Sequence, residues 1–590
     1  MHTRRIPSDK PDVAAPIAEE QPHRLSPRQK DILSLLQEGK ANKEIARELG
    51  IGLGTVKQHV VALFKKLNVT NRAMAVSKGF TAKDATPPLK TANEGTMDIE
   101  TALERRPATV LSLLPEKELQ TADPDFQRTL YRALSEVAFD FDAVLFANRH
   151  GGGDMVFGVE KTREHDVLRA VRAAMSAATY VAALSGNAVS LRGGLSSGVV
   201  VASMERTGTW SGEAIAGSVI ALTRELAAEA APGTLALGES SRRLIHFLGA
   251  ERDGEVPKIV PFTRTFQWQL CGRRLETPLR GRRAEIKTMK ACLADLANGK
   301  GGVILLEGES GIGKSALLWS FIDRCADYEI SVLMKTCPAP DSQPSGHLTG
   351  CLIRPGTSES LPVAKFKASL IKAPPKKPTV IIIDDTHFLP KEAIDDLSSL
   401  LQGMAGAPVL FVLSGRAHSG LPVEIKDRAT SIRLKRLAEN HITEIQKNWL
   451  GPAFSEALGI CRLAAGVPVF AVELARHYRD HGLAENAPDR RLSIPLSLFA
   501  LVIARVDSLS LDRQLLRLTA NKEGEHRRDD LLKQWRGDET ELDTAIEKTI
   551  NAGLLRRINS TNGKNETIGF CHPLVHAVVS FAMKTPDRTK

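Results

Sequence analysis

Eight consecutive residues near the middle of the chain have the spacing of a phosphate-binding loop. They read Gly308-Glu309-Ser310-Gly311-Ile312-Gly313-Lys314-Ser315, the form G-x-x-x-x-G-K-[ST]. Glycines at these positions let backbone N–H groups turn toward phosphate oxygens, and the start of a following helix adds positive potential. In such a loop the lysine contacts the β- and γ-phosphates and the Ser/Thr hydroxyl ligates Mg²⁺. The pattern therefore predicts that ATP and Mg²⁺ bind to Gly308, Gly311, Gly313, Lys314 and Ser315.

The flanking residues predict the elements that a P-loop needs. The apolar residues 303–306 predict a strand before the loop, and residues 316–319 predict a helix after it. A strand, a glycine-rich loop and a helix in this order are the context in which the motif binds phosphate. A glycine-rich surface turn is the alternative, and both flanks disfavour it.

An acidic pair and an arginine follow two further predicted strands. Residues 379–383 form an apolar, β-branched run typical of a buried parallel strand, which ends in Asp384 and Asp385. We expect Asp384 to hold Mg²⁺ through water, with Asp385 beside it at the nucleotide. Residues 408–413 predict a third strand. Arg416 follows that strand and is either a γ-phosphate contact or a plain surface arginine.

Length and composition favour a multidomain protein of ordinary globular type. With 590 residues the chain can form about three or four domains, and 42% of its residues are hydrophobic and 25% charged. No apolar run approaches the ~18 residues of a membrane span, and no secretory signal is recognisable. The seven scattered cysteines favour reduced thiols and no zinc site. We expect a cytoplasmic protein without a membrane partner, and the net charge of +10 permits a polyanionic partner.

The N-terminal region carries signals for short helices around a tight turn. Residues 1–21 are predicted to be a disordered arm and residues 22–80 a compact helical domain. Ser26 suits an N-cap, Pro27 the first helical position and Gln29 a capping box. Lysine and glutamine on the helix after the turn can read base edges, while threonine and lysine suit phosphates. The predicted DNA-binding residues are Thr55, Lys57, Gln58, Lys65 and Lys66.

The wording of this region resembles the LuxR-type (GerE-like) DNA-binding domain. The resemblance covers residues 22–80 and rests on Leu25-Ser26-Pro27-Arg28, Asn42-Lys43-Glu44-Ile45-Ala46 and Thr55-Val56-Lys57-Gln58-His59. Gln29 replaces the usual Glu of the family, and Gly52 replaces the usual Ser cap at a cost of about a few tenths of a kcal/mol. The resemblance implies a helix-turn-helix that binds double-stranded promoter DNA. On charge and periodicity alone, a small helical bundle with a solvated basic face remains the alternative.

Residues 81–99 are predicted to be a linker, and residues 100–270 resemble a class III nucleotidyl cyclase domain of α/β, ferredoxin-like fold. The resemblance rests on Gly152-Gly153-Asp154, on Arg192-Gly193-Gly194-Leu195 and on the residues around them. The family's catalytic residues do not match, because Leu114, Ala221 and Glu225 stand where a metal-binding Asp, an Asn and an Arg are expected. We therefore predict a degenerate cyclase-like domain without cyclase activity.

Residues 275–440 are predicted to be a P-loop ATPase core that resembles the AAA-like signal-transduction (STAND) ATPases. Leu279-Arg280-Gly281-Arg282 resembles the entry of that family, whose Gly-Arg lies near the adenine. Gly466-Val467-Pro468 resembles a motif on a small helical lid, predicted over residues 441–490, whose proline packs on the base. Residues 491–590 resemble the winged-helix-like helical tail of such ATPases. In that family the equivalent of His572 can sit near the nucleotide, and a core or capping histidine is the alternative.

These regions together predict an ATP-binding, sequence-specific transcriptional regulator in which nucleotide acts as a switch. Hydrolysis should be slow at most, because the acidic pair Asp384-Asp385 lacks the glutamate that polarises water in fast AAA ATPases. The expected partners are promoter DNA, RNA polymerase and further copies of the chain in a dimer or larger assembly. The alternatives are an enzyme, either a nucleotide cyclase or a signalling ATPase, and a signalling scaffold that does not bind DNA.

Overall fold

The computed structural model describes residues 27–37, 45, 48–49, 60, 63, 101–116, 124–148, 150–185, 189–206, 208–248, 256–263, 278–337, 351–354, 360–363, 377–389, 391–404, 406–416, 420–451, 462–481, 494–509, 511–521, 524–559 and 567–583. The chain forms two compact units, Met1–Glu94 and Gly95–Lys590.

In the N-terminal unit, helix α1 spans Pro27–Gln37. Its apolar face is buried at Ile32 and Leu36, and Ile45, Val60 and Leu63 are fully buried as well. These residues are among those that the helical spacing predicts to face inward. The predicted DNA contacts lie outside the described residues: Thr55, Lys57, Gln58, Lys65 and Lys66.

The second unit begins with a six-stranded sheet, sheet A, in the order β2-β3-β1-β4-β5-β6. Its strands are β1 (Ala102–Pro115), β2 (Val144–Ala147), β3 (Gly153–Phe157), β4 (Leu191–Met204), β5 (Thr234–Leu237) and β6 (Ile259–Pro261). Helix α2 (Pro124–Asp140) connects β1 to β2, and α3 (Asp166–Leu184) connects β3 to β4. The order β2-β3-β1-β4 with these crossovers is the ferredoxin-like βαββαβ arrangement, in agreement with the predicted α/β class.

Helices cover both faces of sheet A. Helices α2 and α3 share an apolar core with Leu111, Phe157 and Leu195. By length and composition α3 could cross a membrane, but half of its apolar window is buried inside the protein, as expected for a core helix. Helix α4 (Ser218–Glu229) approaches β4 so closely that a Cβ on Gly194 would lie 2.2 Å from the Thr223 carbonyl oxygen. Helix α5 (Glu239–Phe247) follows β5.

Sheet B holds the P-loop and has seven strands in the order β10-β9-β8-β11-β12-β7-β13. The strands are β7 (Gly302–Glu307), β8 (Ser331–Thr336), β9 (Cys351–Ile353), β10 (Ser360–Pro362), β11 (Thr379–Asp384), β12 (Val409–Gly415) and β13 (Thr430–Arg433). Strands β8, β11, β12, β7 and β13 pair in parallel, whereas β9 and β10 add an antiparallel edge. All six residues of β11 are buried, which explains its continuous β-branched sequence.

Helices α6 (Arg283–Ala297), α7 (Lys314–Asp327), α8 (Lys391–Gly403) and α9 (Val423–Arg428) accompany sheet B. Two apolar cores form around the sheet: Leu306, Leu317 and Val412 belong to one, and Leu305 and Phe411 to the other. Because β12 lies between β7 and β11, the P-loop and the end of the acidic strand border the same edge of the sheet, where the carboxyl ends of the strands meet.

The rest of the second unit is mainly helical. It contains α10 (Glu439–Leu450), α11 (Pro468–His481), α12 (Leu496–Ser508), α13 (Arg513–Ala520), α14 (Arg528–Gln534), α15 (Glu539–Asn551) and α16 (Pro573–Met583). Helices α10, α11, α12 and α16 share one apolar core. The predicted helical tail also contains a small antiparallel sheet, formed by β14 (His526–Arg527), β15 (Leu555–Asn559) and β16 (Thr567–Phe570) in the order β14-β16-β15.

Sheet A and the tail meet through a buried ion network. It consists of Glu104 and Arg106 on β1, Asp507 on α12, and Arg513 and Arg517 on α13. The distance from Arg106 Nη2 to Asp507 Oδ2 is 2.5 Å, and from Arg517 Nη2 to Glu104 Oε1 2.8 Å. Burial alone would raise the pKa of Asp507, but Arg106 and Arg513 hold it below its ordinary value.

Candidate nucleotide site

The P-loop has a backbone that only glycine adopts readily at two positions. The φ angles of Gly311 and Gly313 are +75° and +100°, in a region that L side chains rarely enter. Helix α7 begins immediately afterwards at Lys314. The loop therefore presents its backbone next to a helix N-terminus, where an anion is stabilised.

Lys314, Ser315 and Asp384 converge at the start of α7. The Lys314 ammonium donates to the carbonyl oxygens of Gly308 and Glu309 at 2.9 and 3.0 Å. The Ser315 hydroxyl lies 3.4 Å from Asp384 Oδ2. A hydroxyl and a carboxylate this close form a donor set suited to Mg²⁺, which prefers hard oxygen ligands. The sequence-predicted lysine, serine and acid thus lie together at one end of sheet B.

The second acid, Asp385, adopts a left-handed backbone with φ of +56° directly after β11. Its amide donates to Asp384 Oδ1 at 2.9 Å. Desolvation raises the pKa of Asp384, while desolvation and the neighbouring Asp384 raise the pKa of Asp385 to about 8. Two carboxylates this close repel each other when both are ionised, so the pair is suited to a cationic partner.

Residues on both sides of the loop hold it in place. The Arg282 guanidinium, almost fully buried, donates to the Ile312 carbonyl at 2.9 Å. Pro468 is the first residue of α11, and its Cγ would lie 3.9 Å from a Cβ on Gly313. The next amide, of Val469, donates to the Gly311 carbonyl at 3.2 Å. The predicted lid motif therefore contacts the P-loop directly.

A cavity of about 420 Å³ adjoins the P-loop, and residues from all parts of the second unit line it. Gly311, Gly313, Lys314, Ser315, Asp384, Asp385, Arg416 and Pro468 are in its lining. Gly308 contributes through its carbonyl bond to Lys314. The structure thus brings the predicted nucleotide-binding residues to one cavity.

The sequence did not predict the parts of the cavity wall that lie outside the P-loop module. Thr162, Glu164 and His165, just before α3, line the cavity, as do Phe247 at the end of α5 and Leu501 on α12. The side chain of Glu164 forms an ion pair with Arg416. These two residues are 252 positions apart, and no local pattern in the sequence links them.

His572 has a structural position. Its Nε2 lies 3.1 Å from the Ala464 carbonyl oxygen, and its Nδ1 accepts the Leu574 amide at 3.1 Å. The ring packs edge-on against Phe470. These contacts correspond to the capping and core alternative for this histidine.

In sheet A, Asp154 of β3 forms an ion pair with Arg224 of α4. Asp154 is buried, and its carboxylate accepts the Ser112 hydroxyl and pairs with Arg224 Nε, each at 2.7 Å. On β1, Ser112 is the residue opposite Asp154 of β3. Leu114, two residues further along, is paired with Arg192 of β4. Both carboxylate oxygens of Asp154 thus have protein partners, Ser112 at Oδ1 and Arg224 at Oδ2.

Family models match two regions of the chain. Residues 23–78 match the bacterial regulatory proteins of the luxR family, and residues 297–419 match an AAA domain. These matches confirm the presence of the predicted LuxR-type domain and of an AAA domain. The matched AAA region includes the P-loop, Asp384 and Arg416.

Curated relatives share the N-terminal region. The CsgBAC operon transcriptional regulatory protein of Escherichia coli is 53% identical over 53 residues, which are 9% of this chain and 24% of that protein. The transcriptional regulatory protein DesR of Bacillus subtilis is 43% identical over 54 residues, 9% of this chain and 27% of DesR. The chain thus spans about a quarter of the length of the curated relatives it matches.

Solved structures show only distant likeness. The adenylyl cyclase CyaB of P. aeruginosa is 14% identical, with 24% of this chain and 82% of that chain covered and a TM-score of 0.22. A point mutant of Thermotoga maritima RuvB is 16% identical, with 48% of this chain and 92% of that chain covered and a TM-score of 0.28. Scores this low carry no argument about function.

Proposed function

We propose that this chain is a cytoplasmic, ATP-binding transcriptional regulator that binds promoter DNA through residues 22–80 and uses nucleotide as a switch. The match of residues 23–78 to the luxR family supports the DNA-binding part. Double-stranded promoter DNA and RNA polymerase are the proposed partners. Dimers or larger assemblies are proposed because one small helical domain buries too little surface for tight specific binding.

The observation that carries the nucleotide part is the convergence of Lys314, Ser315 and Asp384 beside the cavity. Lys314 would hold the phosphates of ATP, and Ser315 with Asp384 would hold Mg²⁺. Bound Mg²⁺ would neutralise phosphate charge. Lys314 now donates to two carbonyls of its own loop, bonds that it can exchange for phosphate oxygens without moving far.

A switch fits the acidic pair better than a fast ATPase does. The residue after Asp384 is an aspartate in a left-handed backbone, and the sequence places no glutamate there to polarise water. Hydrolysis is therefore proposed to be slow. The STAND-type classification is proposed because Leu279-Arg280-Gly281-Arg282 and Gly466-Val467-Pro468 resemble motifs of that family.

Lys314→Ala should weaken ATP binding at least about ten-fold, or 1.4 kcal/mol, because it removes the cation that faces the phosphates. Isothermal calorimetry on the full chain with Mg-ATP measures this. Lys300→Ala is the matched control, since Lys300 is an exposed lysine just before β7. An unchanged affinity in Lys314→Ala would contradict the nucleotide assignment.

Anisotropy of labelled promoter DNA, with and without ATP, tests the switch: ATP should tighten DNA binding by the wild type but not by Lys314→Ala.

Substitutions in the N-terminal unit should separate base reading from phosphate contact. Lys57→Ala and Gln58→Ala should each reduce discrimination between operator and random DNA by roughly 1–3 kcal/mol, because each removes a base contact. Lys65→Ala should weaken both DNAs alike and flatten the salt dependence. Competition binding at several salt concentrations gives both quantities. Specific binding that persists after deletion of residues 1–80 would place the DNA reader elsewhere.

A further inference from the structure

The loop before α3, residues 162–166, extends from sheet A into the wall of the nucleotide cavity. Within this loop the Thr162 amide donates to Asp507 Oδ2 at 2.7 Å, and the Arg163 amide donates to Asp166 Oδ2 at 2.8 Å. Asp507 belongs to the buried ion network. The tail therefore holds the start of this loop, at Thr162, through the buried Asp507 carboxylate.

The side chain at the tip of this loop, Glu164, reaches the P-loop module. Its Oε1 pairs with Arg416 Nη2, and the two side chains are 17% and 36% exposed. Arg416 directly follows β12, the strand between the P-loop strand and the acidic strand. Arg416 lines the same cavity as Lys314 and Asp384, so its guanidinium is available to a phosphate group bound there. In the structure, the Glu164 carboxylate forms an ion pair with this guanidinium.

Charge around the cavity makes this ion pair sensitive to nucleotide. Desolvation lowers the pKa of Lys314, and the positive charge of Arg416 acts in the same direction. The carboxylates of Asp385, Asp384 and Glu164 raise this pKa, so these groups interact electrostatically with Lys314. The cavity lining also contains the charged residues Arg163, Asp166, Arg280, Arg282 and Glu473. A bound triphosphate adds negative charge that repels Glu164 and attracts Arg416. The phosphate chain and the Glu164 carboxylate therefore compete for the same guanidinium.

We propose that Glu164 is an autoinhibitory carboxylate: it holds Arg416 when the terminal phosphate is absent and is displaced from Arg416 when a nucleoside triphosphate binds. The inference rests on the proposed binding of ATP and adds how binding is communicated. Displacement of Glu164 removes the ion pair that joins the tip of the loop to Arg416, while Thr162 stays bonded to Asp507. A diphosphate lacks the group that reaches Arg416, so it leaves the ion pair in place.

Glu164→Gln tests the competition directly, because it keeps the shape of the side chain and removes its charge. Calorimetry on the full chain should show ATP binding about five-fold tighter than in the wild type, the range expected for loss of one partly exposed ion pair. ADP affinity should change less than about two-fold, since the same pair stays intact with the diphosphate. Arg416→Ala should reduce the preference for ATP over ADP. Glu136→Gln, a half-exposed glutamate of α2 that pairs with Arg132 away from the cavity, is the matched control and should leave both affinities unchanged.

Hydrogen exchange supplies a readout independent of affinity. Amides of residues 163–166, at the tip of the loop, should exchange faster in the wild type with ATP than with ADP, and in Glu164→Gln they should exchange fast even without nucleotide. Equal ATP affinity in the wild type and Glu164→Gln, or exchange that does not respond to ATP, would overturn the autoinhibitory role. In that case ATP would still bind in a Lys314-dependent manner. Absence of Lys314-dependent binding in the wild type would instead overturn the proposed function, and the inference with it.

Discussion

Asp507→Ala should lower the free energy of unfolding of the second unit by about 3–5 kcal/mol, because it leaves two buried guanidinium groups without their shared carboxylate. Arg106 and Arg513 are 0% and 2% exposed, so water cannot replace the lost partner without local opening. Asp507 also accepts the Thr162 amide, which would lose its bond as well. Urea denaturation followed by circular dichroism measures the change.

Asp530→Ala is the control for this substitution, since Asp530 lies on α14 in an exposed ion pair with Lys533 and should cost less than about 1 kcal/mol. The double variant Asp507→Ala/Arg106→Ala should lose less stability than the sum of the single losses, because each single change strands the other charge. Additive losses, or a loss below about 1 kcal/mol in Asp507→Ala, would show that the network is not a unit.

The second large effect is a loss of stability on acidification that depends on His572. Desolvation lowers the pKa of His572 from 6.5 to about 4, and its contact with the Ala464 carbonyl opposes this only in part. The folded protein therefore binds fewer protons than the unfolded chain between these two values. Stability from this residue is present above a pH of about 6.5 and is lost as the pH falls toward about 4, by roughly 2 kcal/mol at a pH of about 4.5.

The charges that face His572 are mixed, since Arg436 and Arg505 lower its pKa and Glu309 raises it. Comparing the unfolding free energy of the wild type and His572→Gln at a pH of about 7 and of about 4.5 isolates the titration. The gap between the two proteins should shrink by roughly 2 kcal/mol at the lower pH. A gap that stays constant with pH would mean that the histidine does not titrate on unfolding. His526→Gln, on the short strand β14, is a control at a less buried histidine.

The sequence allowed the P-loop side of the site to be predicted because its determinants are local. Gly311, Gly313 and Lys314 are specified by spacing alone, and Asp384 is marked by the apolar strand before it. Arg416 could be placed near the site because it follows a predicted strand, but its ion-pair partner Glu164 could not be predicted. Glu164 lies in another module, and long-range charge pairing leaves no periodic signal in sequence.

The charges of β1 illustrate the same limit. Glu104 and Arg106 are 1% and 0% exposed, although charged residues at the start of a strand usually face solvent. Only the packing of α12 and α13 against this strand provides the partners that make burial tolerable. The ferredoxin-like fold expected for residues 100–270 rested on their resemblance to a cyclase domain, whereas nothing in the sequence indicated how sheet A packs against the tail. The DNA contacts at Lys57 and Gln58 stay predictions.

The buried ion network also determines which parts of the second unit can move independently. It joins β1 to α12 and α13, and α12 shares an apolar core with the lid helix α11. Separating these parts would leave buried charges without partners, at a cost of several kcal/mol in free energy. The Glu164–Arg416 contact is a single, partly exposed ion pair that contributes only about 0–1 kcal/mol. The Glu164–Arg416 ion pair is therefore expected to break before the buried ion network does. Sheet A and the tail should therefore move together as one body relative to the P-loop sheet, on the microsecond-to-millisecond timescale of hinge motions.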